Sequence, residues 1–235
     1  MNKLLVISGG SRGIGRAILE KFASQGFDVI TCGRSTADLT ELATETAAKY
    51  PAVQLLTYVS DVSKKEEVFS FIDAVKALNR PIDVLVNNAG FFAPGQIANE
   101  ADGVFESQFN TNVASAYHLT RGFVNDMVDR KDGYIFNICS TASITAYTNG
   151  GSYCISKFAL LGMSKVLREE LKSTCVRVTS VLPGATFTSS WEGSGLPEDR
   201  FMQAQDVADM VLNTYNLPKT SVVEEILMRP QLGDL

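Results

Sequence analysis

Tyr153 and Lys157 stand four residues apart in the run Ser152-Tyr-Cys-Ile-Ser-Lys157. On a helix that spacing puts both side chains on one face, one turn apart. A phenol titrates near pKa ~10 and alone is a weak acid or base at neutral pH. An ammonium beside it favours the phenolate and brings its proton into working range. Ser140 directly follows an apolar run at residues 133–138 and offers a hydroxyl that can donate to a carbonyl oxygen. Asn112 lies in a helical stretch with Val113 and Tyr117, where asparagine is a weak helix former, which points to a backbone or water-relay role. A Tyr-x-x-x-Lys pair alone is also an ordinary surface contact; with Ser140 and Asn112 it describes a proton-transfer site.

A second group handles phosphate. Ser8-Gly9-Gly10-Ser11-Arg12-Gly13-Ile14-Gly15 joins an apolar run to an amphipathic one. Glycines let the backbone turn tightly and bring N–H groups against a pyrophosphate at a helix N-terminus. The spacing is G-x-x-x-G-x-G, not the general G-x-G-x-x-G. The next run ends in Thr31-Cys32-Gly33-Arg34-Ser35, with no acid to hold a ribose 2′-hydroxyl; Asp28 lies at its other end. Arg34 and Arg12 instead suit a 2′-phosphate, so these residues favour NADP(H) over NAD(H).

These groups need elements to position them. Short apolar runs at 4–8, 28–32, 53–58, 84–87, 133–138, 176–182 and 222–228 read as strands buried on both faces of a parallel sheet. Helical patterns lie between them. One runs from Gly13 to Gln25 with Gly26 as its stop, one from a capping box at Ser63–Glu66 to Leu78, and one from Ser152 to Lys172. The expected fold is α/β: a doubly wound parallel sheet of about seven strands, helices on both faces, ligands at the carboxyl ends of the strands. The whole chain, 1–235, reads as a single Rossmann-type domain with a substrate lid around 186–205 that its Gly and Pro content makes mobile.

The net charge of −5 with no basic stripe argues against nucleic-acid binding. The apolar run after Met1-Asn2-Lys3 is too short for a signal segment or a membrane span. Four cysteines without metal spacing fit reduced thiols, a cytoplasmic location and no metal site.

The Gly9–Gly15 loop, Asp61-Val62, Asn87–Gly90, Asn112, Ser140, Tyr153, Lys157 and Pro183-Gly184 occur in this order across nearly the whole chain. The set resembles the short-chain dehydrogenase/reductase family in its shorter branch; Ser8 stands where that family usually has threonine. The resemblance implies a carbonyl reductase using NADPH. Tyr153 would be the general acid, Lys157 would lower its pKa and hold the nicotinamide ribose, Ser140 would position the carbonyl, and Asn112 would anchor a water linking Lys157 to solvent. Around the cofactor it implies Gly9, Ser11, Arg12, Gly13, Ile14, Gly15, Arg34 and Ser35 at the phosphates. Asp61 and Val62 would meet the adenine, Asn88, Ala89 and Gly90 the adenosine side, and Pro183-Gly184 with Thr186 or Thr188 the carboxamide. It also implies a homodimer or homotetramer built on helices around 106–129 and 152–172.

On the substrate side, Trp191 either stacks on a planar substrate or closes the pocket, and Phe91 and Phe92 line the entrance or pack in the core. His118 reads as a packing or subunit-contact residue, and Cys154 is given no chemistry. The tail is similar to bacterial sepiapterin-reductase-like members, in which an acid near the C-terminus holds a pterin amino group; Asp234 is placed for that role, or is a solvated chain end. Substrates in view are a pteridine side-chain ketone, a 3-oxoacyl thioester, or a general ketone or aldehyde. The alternatives are an NAD-dependent alcohol dehydrogenase, a nucleotide-sugar epimerase or dehydratase, and a silent NADP(H)-sensing regulator. The absent strand-end acid, the short chain and the complete Ser140-Tyr153-Lys157-Asn112 set argue against them in turn.

Overall fold

The computed structural model describes residues 1–188 and 195–234; Trp191 lies outside them. The first half alternates β1 (Leu4–Ser8), α1 (Gly13–Ala23), β2 (Asp28–Gly33), α2 (Thr36–Lys49), β3 (Leu55–Val59), α3 (Lys65–Lys76) and β4 (Val84–Asn87). There follow α4 (Val104–Phe109), a π-helical turn at Asn110–Ala114, α5 (Ser115–Arg130), β5 (Gly133–Ile138), α6 (Gly151–Leu171), β6 (Val176–Pro183), α7 (Ala204–Tyr215) and β7 (Glu225–Met228). The strands form one parallel sheet in the order β3-β2-β1-β4-β5-β6-β7. The chain runs outwards from β1 to one edge, then returns to build the other side from β4. This opens a crevice at the carboxyl ends of β1 and β4, where the order reverses.

Alternation along β1 explains the layers. Leu5 and Ile7 point into a core with Ile18, Phe22, Leu42, Val207 and Val211, under α1, α2 and α7. Leu4 and Val6 point the other way, towards Phe71, Ile72, Leu119, Phe123 and Leu167 from α3, α5 and α6. Both faces are covered, so the strands are largely apolar. Some buried strand residues are polar, and three of them form a rung. Asn87, Asn137 and Ser180 are register partners on β4, β5 and β6. Asn87 donates to Asn137 Oδ1 (2.8 Å) and Thr120 Oγ1 (3.0 Å), Asn137 donates to Ser164 Oγ (2.9 Å), and Ser180 Oγ joins Ser164 Oγ at 2.8 Å. Each polar side chain thus meets another in a place water does not reach.

Some boundaries differ from the sequence pattern, for local reasons. β3 begins after Gln54, because the Asp28 carboxylate takes the Gln54 N–H (2.8 Å). β7 begins at Glu225 rather than Val222; the Thr179 hydroxyl takes the Val223 carbonyl before the ladder starts. The capping box at Ser63 does not form. Asp61 captures Ser63 instead, its Oδ1 accepting from the Ser63 N–H (3.1 Å) and hydroxyl (2.8 Å), and α3 starts at Lys65 with no side-chain cap. Residues 204 and 205, inside the expected lid, are the first turn of α7. Among the described residues no helix is long and apolar enough to cross a membrane.

Phe22 is fully buried and meets Phe27 and Tyr215 edge-on at 5.0 and 5.7 Å, tying α1 to α7. Phe22→Ala removes the ring both partners pack on, and an aromatic truncation of this kind costs about 3–5 kcal/mol. Urea unfolding should show a clearly lowered midpoint with an unchanged slope. A loss below about 1 kcal/mol would mean that the core closes over the gap.

Candidate active site

The phosphate loop sits at the crevice mouth. The first turn of α1 has no side-chain cap and no acid, so its N–H groups are unclaimed and face the position where an anion is stabilised. Two loops are sewn together here. The Ser8 hydroxyl accepts from the N–H groups of Asn88 (3.1 Å) and Ala89 (3.0 Å), and the Asn88 amide donates to the carbonyls of Ser8 (3.0 Å) and Gly9 (2.9 Å). A side chain at Gly15 would place its Cβ 2.3 Å from both Gly9 O and Asn88 Nδ2, so only glycine allows this closeness. The cradle formed by Gly9, Ser11, Gly13, Ile14 and Gly15 therefore fits a pyrophosphate.

Around it stand the groups read as cofactor contacts. Arg12 is exposed and paired with Asp38 at 2.8 Å. Arg34 is exposed at the end of β2, and the Ser35 hydroxyl caps α2 by accepting from the Asp38 N–H (3.2 Å). Burial pushes the Asp61 carboxyl up, but the Ser63 bonds and the charges of Arg34 and Lys64 leave it below its ordinary value. Val62 is buried beneath it. Gly184 follows β6, its N–H bonded to Met228 O (2.8 Å). The Thr186 hydroxyl turns back to Gly184 O (3.0 Å), whereas the Thr188 methyl lies against Gly13. Thr188 is thus the one of the two set over the phosphate loop. A cavity of about 570 Å³ also opens there, lined by Arg12, Arg16, Asp38, Glu41, Phe187 and Thr188 among others, but not by Ser140, Tyr153 or Lys157.

The proton-transfer residues do meet. α6 carries Tyr153 in its first turn and Lys157 in its second. Ser140 stands beside the Tyr153 phenol. Ser140 is itself fixed as the cap of a 3₁₀ turn at Thr141–Ser143, accepting from the Ala142 N–H at 3.1 Å. Burial raises the Tyr153 pKa, with Ser140 opposing the rise, so the phenol is protonated at neutral pH. Lys157 is buried, donates to Ile138 O at 2.9 Å, and has its ammonium 5.8 Å from the Tyr153 ring centre. Burial pulls its pKa down to about 8. A protonated phenol beside a serine hydroxyl, with a titratable ammonium behind it, can deliver a proton to an oxygen placed between the hydroxyls.

Asn112 has a more specific position than the sequence suggests. Its side chain accepts from Phe91 N (2.9 Å) and donates to Phe91 O (3.1 Å) and Ser156 Oγ (2.9 Å). The amide is fully engaged in holding the segment after Gly90 against α6, so any water it anchors must be held by its backbone. The π turn at Asn110–Ala114 carries it, a local widening that often marks functional positions.

Phe92 packs edge-on against the Tyr153 ring at 5.0 Å, so it belongs to the site wall and not to the core. Asp234 is not a solvated chain end. Its Oδ2 accepts from the Tyr147 hydroxyl (2.8 Å) and Arg229 Nε (2.9 Å), while its Oδ1 is buried beside Gly184 with no partner among the described residues. The Tyr147 oxygen in turn accepts from the Thr141 hydroxyl (3.0 Å), next to Ser140. Tyr147, Arg229 and Glu100 escaped the sequence reading because no spacing connects them. His118 packs against Phe69 and Tyr117, away from this chemistry.

Residues 3–198 match the model of the short chain dehydrogenase family. Sepiapterin reductase of Chlorobaculum tepidum is 32% identical over 246 aligned positions, covering 100% of this chain and 99% of that protein. The alcohol dehydrogenase of the archaeon Thermococcus sibiricus, complexed with 5-hydroxy-NADP, superposes with a TM-score of 0.89 at 26% identity, over 98% of this chain and 97% of that one. L-sorbose reductase of Gluconobacter frateurii, complexed with NADPH and L-sorbose, gives 0.88 at 27% identity, over 97% and 95%. A seven-stranded parallel sheet, a glycine turn against β4 and a Ser-Tyr-Lys cluster at its carboxyl edge accompany these likenesses: the chain is an oxidoreductase belonging to the short-chain dehydrogenase family.

Proposed function

We propose that this protein is an NADPH-dependent carbonyl reductase with Tyr153 as proton donor. The observation that carries this reading is the meeting of three side chains: the Tyr153 phenol with Ser140 beside it, and the buried Lys157 with its ammonium 5.8 Å from the Tyr153 ring centre. A carbonyl oxygen at the two hydroxyls receives the phenolic proton as its carbon accepts hydride. NADPH, bound along the glycine cradle, supplies that hydride. Ser140 orients the carbonyl and stabilises negative charge developing on oxygen. Lys157 favours the phenolate that results and passes a proton back to it, and the Asn112 backbone holds the water that connects Lys157 to solvent. Arg34 and Arg12 read the 2′-phosphate. The identity of the relatives' cofactors supports the same choice: both solved structures above are complexes with NADP-type molecules.

Asp234 bears on the substrate. A buried carboxylate oxygen with no donor among the described residues selects a ligand bearing an N–H or O–H group. Among the candidate substrates a pteridine ketone offers such donors, and the similarity to a sepiapterin reductase agrees. A thioester or a simple ketone lacks them at that end. Exposed Phe105, Tyr117, Ile155 and Phe158 on the outer faces of α4, α5 and α6 support a homo-oligomer.

NADPH oxidation against pteridine, acyl and simple carbonyl substrates tests the reading. Tyr153→Phe should lower kcat by about 10²–10⁴ while NADPH still binds; near wild-type turnover would remove Tyr153 as donor. Arg34→Asp should reduce the NADPH/NADH ratio of kcat/KM by at least about tenfold, since a charge-assisted bond is lost and an acid added beside the phosphate. An unchanged ratio would show that Arg34 does not read it. The lowered Lys157 pKa sets the pH response: the ammonium is charged below about 8 and loses its proton above. The reductive kcat should therefore fall as pH rises through that value, and a profile flat to high pH would exclude Lys157 from the relay.

A further inference from the structure

α6 has no cap of its own. Its N-cap is Gly150, which has no side chain to offer, and its first turn contains no acid. Yet this turn carries Tyr153, and a proton donor must be held in place to within a fraction of an ångström. The missing partner comes from another part of the chain. Glu100, in the segment between β4 and α4, reaches across with both carboxylate oxygens: Oε1 accepts from the Ser152 N–H (2.9 Å), and Oε2 accepts from the Ser152 hydroxyl. Ser152 is buried and immediately precedes Tyr153.

Independent contacts place the same segment on the same turn. Gly95 N–H donates to Asn149 O (3.0 Å), Gly151 N–H donates to Gly95 O (3.0 Å), and the Gln96 amide donates to Asn149 Oδ1 (3.0 Å). The packing leaves no slack. A Cβ at Gly151 would lie 2.2 Å from Glu100 Oε1, and one at Gly95 would lie 2.5 Å from Glu100 Cγ. Phe92, at the start of this segment, packs on the Tyr153 ring. One stretch of chain therefore holds both the ring of Tyr153 and the start of its helix.

We propose that Glu100 is a positioning residue for the reaction: by bonding Ser152 it fixes the first turn of α6 and so the height of the Tyr153 hydroxyl against Ser140. The proposal rests on Tyr153 being the proton donor. Glu100 touches neither substrate nor cofactor in this account and acts through Ser152. A glutamine can make the same two bonds, its carbonyl oxygen accepting from the N–H and its amide donating to the hydroxyl oxygen. An alanine makes neither.

The test compares Glu100→Ala, Glu100→Gln, Gly151→Ala and Tyr153→Phe for kcat, KM for NADPH and unfolding midpoint. The expected result is a kcat about ten- to a hundredfold lower in Glu100→Ala, with the KM for NADPH within about twofold of wild type, and recovery in Glu100→Gln. Gly151→Ala, whose methyl displaces the carboxylate, should be as slow as Glu100→Ala, and adding it to Glu100→Ala should cost little more. The proposal is overturned if Glu100→Ala keeps its kcat, if Glu100→Gln is as slow as Glu100→Ala, or if the NADPH KM rises together with a loss of folding. Should Glu100→Ala not fold, the Gln variant and Gly151→Ala still decide: a fast Gly151→Ala overturns it. A Tyr153→Phe variant with full activity would instead reject the proton-donor reading itself.

Discussion

The Asn88 side chain donates both amide hydrogens to the first turn of the chain, at Ser8 O and Gly9 O, while Ser8 Oγ takes two backbone N–H groups in return. These four bonds join the two loops that flank the point where strand order reverses. A parallel sheet supplies strands ending on one edge, but it does not by itself fix the loops that leave them. Here the glycine turn is held by the loop after β4, and the same loop continues to Phe91, where Asn112 takes hold, and then to Phe92, Gly95 and Glu100. The phosphate cradle and the proton donor are thus positioned by opposite ends of one segment. Gly15 is the point at which this arrangement is least tolerant, since any Cβ there meets both partners at once.

What the sequence made legible follows from what kind of interaction each feature uses. Tyr153 and Lys157 are related by helical periodicity, and Gly9 to Gly15 by a local turn, so both could be read without a partner in view. The sheet was legible because its apolar runs are short, regular and interrupted by turn residues. Ser63 misled because its hydroxyl had a competing acceptor two residues upstream, Asp61, and local Asx bonds compete with helix capping. Glu100 with Ser152, Tyr147 with Asp234, and Arg12 with Asp38 are tertiary pairs separated by 52, 87 and 26 positions. No periodicity marks such pairs, and charged or hydroxyl residues in loops look alike whether they are solvated or engaged.

The electrostatic setting of the proton donor follows from burial more than from pairing. Tyr153 and Lys157 are each held towards their neutral forms by loss of water. The lysine shares the site with the Ile138 carbonyl, and among the described residues no carboxylate pairs with it, so none of them holds its charge as an ion pair would. The proton is thereby left easy to move in either direction, which suits a residue that returns to its starting state in every cycle. An acid next to Lys157 would have fixed the ammonium and removed that freedom.

The polar rung of Asn87, Asn137 and Ser180 bears on how this sheet finds its alignment during folding. In an entirely aliphatic parallel sheet, a strand displaced along its neighbour still buries oil against oil, and the error carries little penalty. Here the hydrogen bonds of the rung form only when β4, β5 and β6 are in step and when Thr120 and Ser164 arrive from α5 and α6. A misaligned intermediate would bury amide groups with no partner, at about 1–3 kcal/mol each. The rung therefore favours the native register of these three strands over a slipped one, and so ties the relative heights of Asn88 and Ser140 to it.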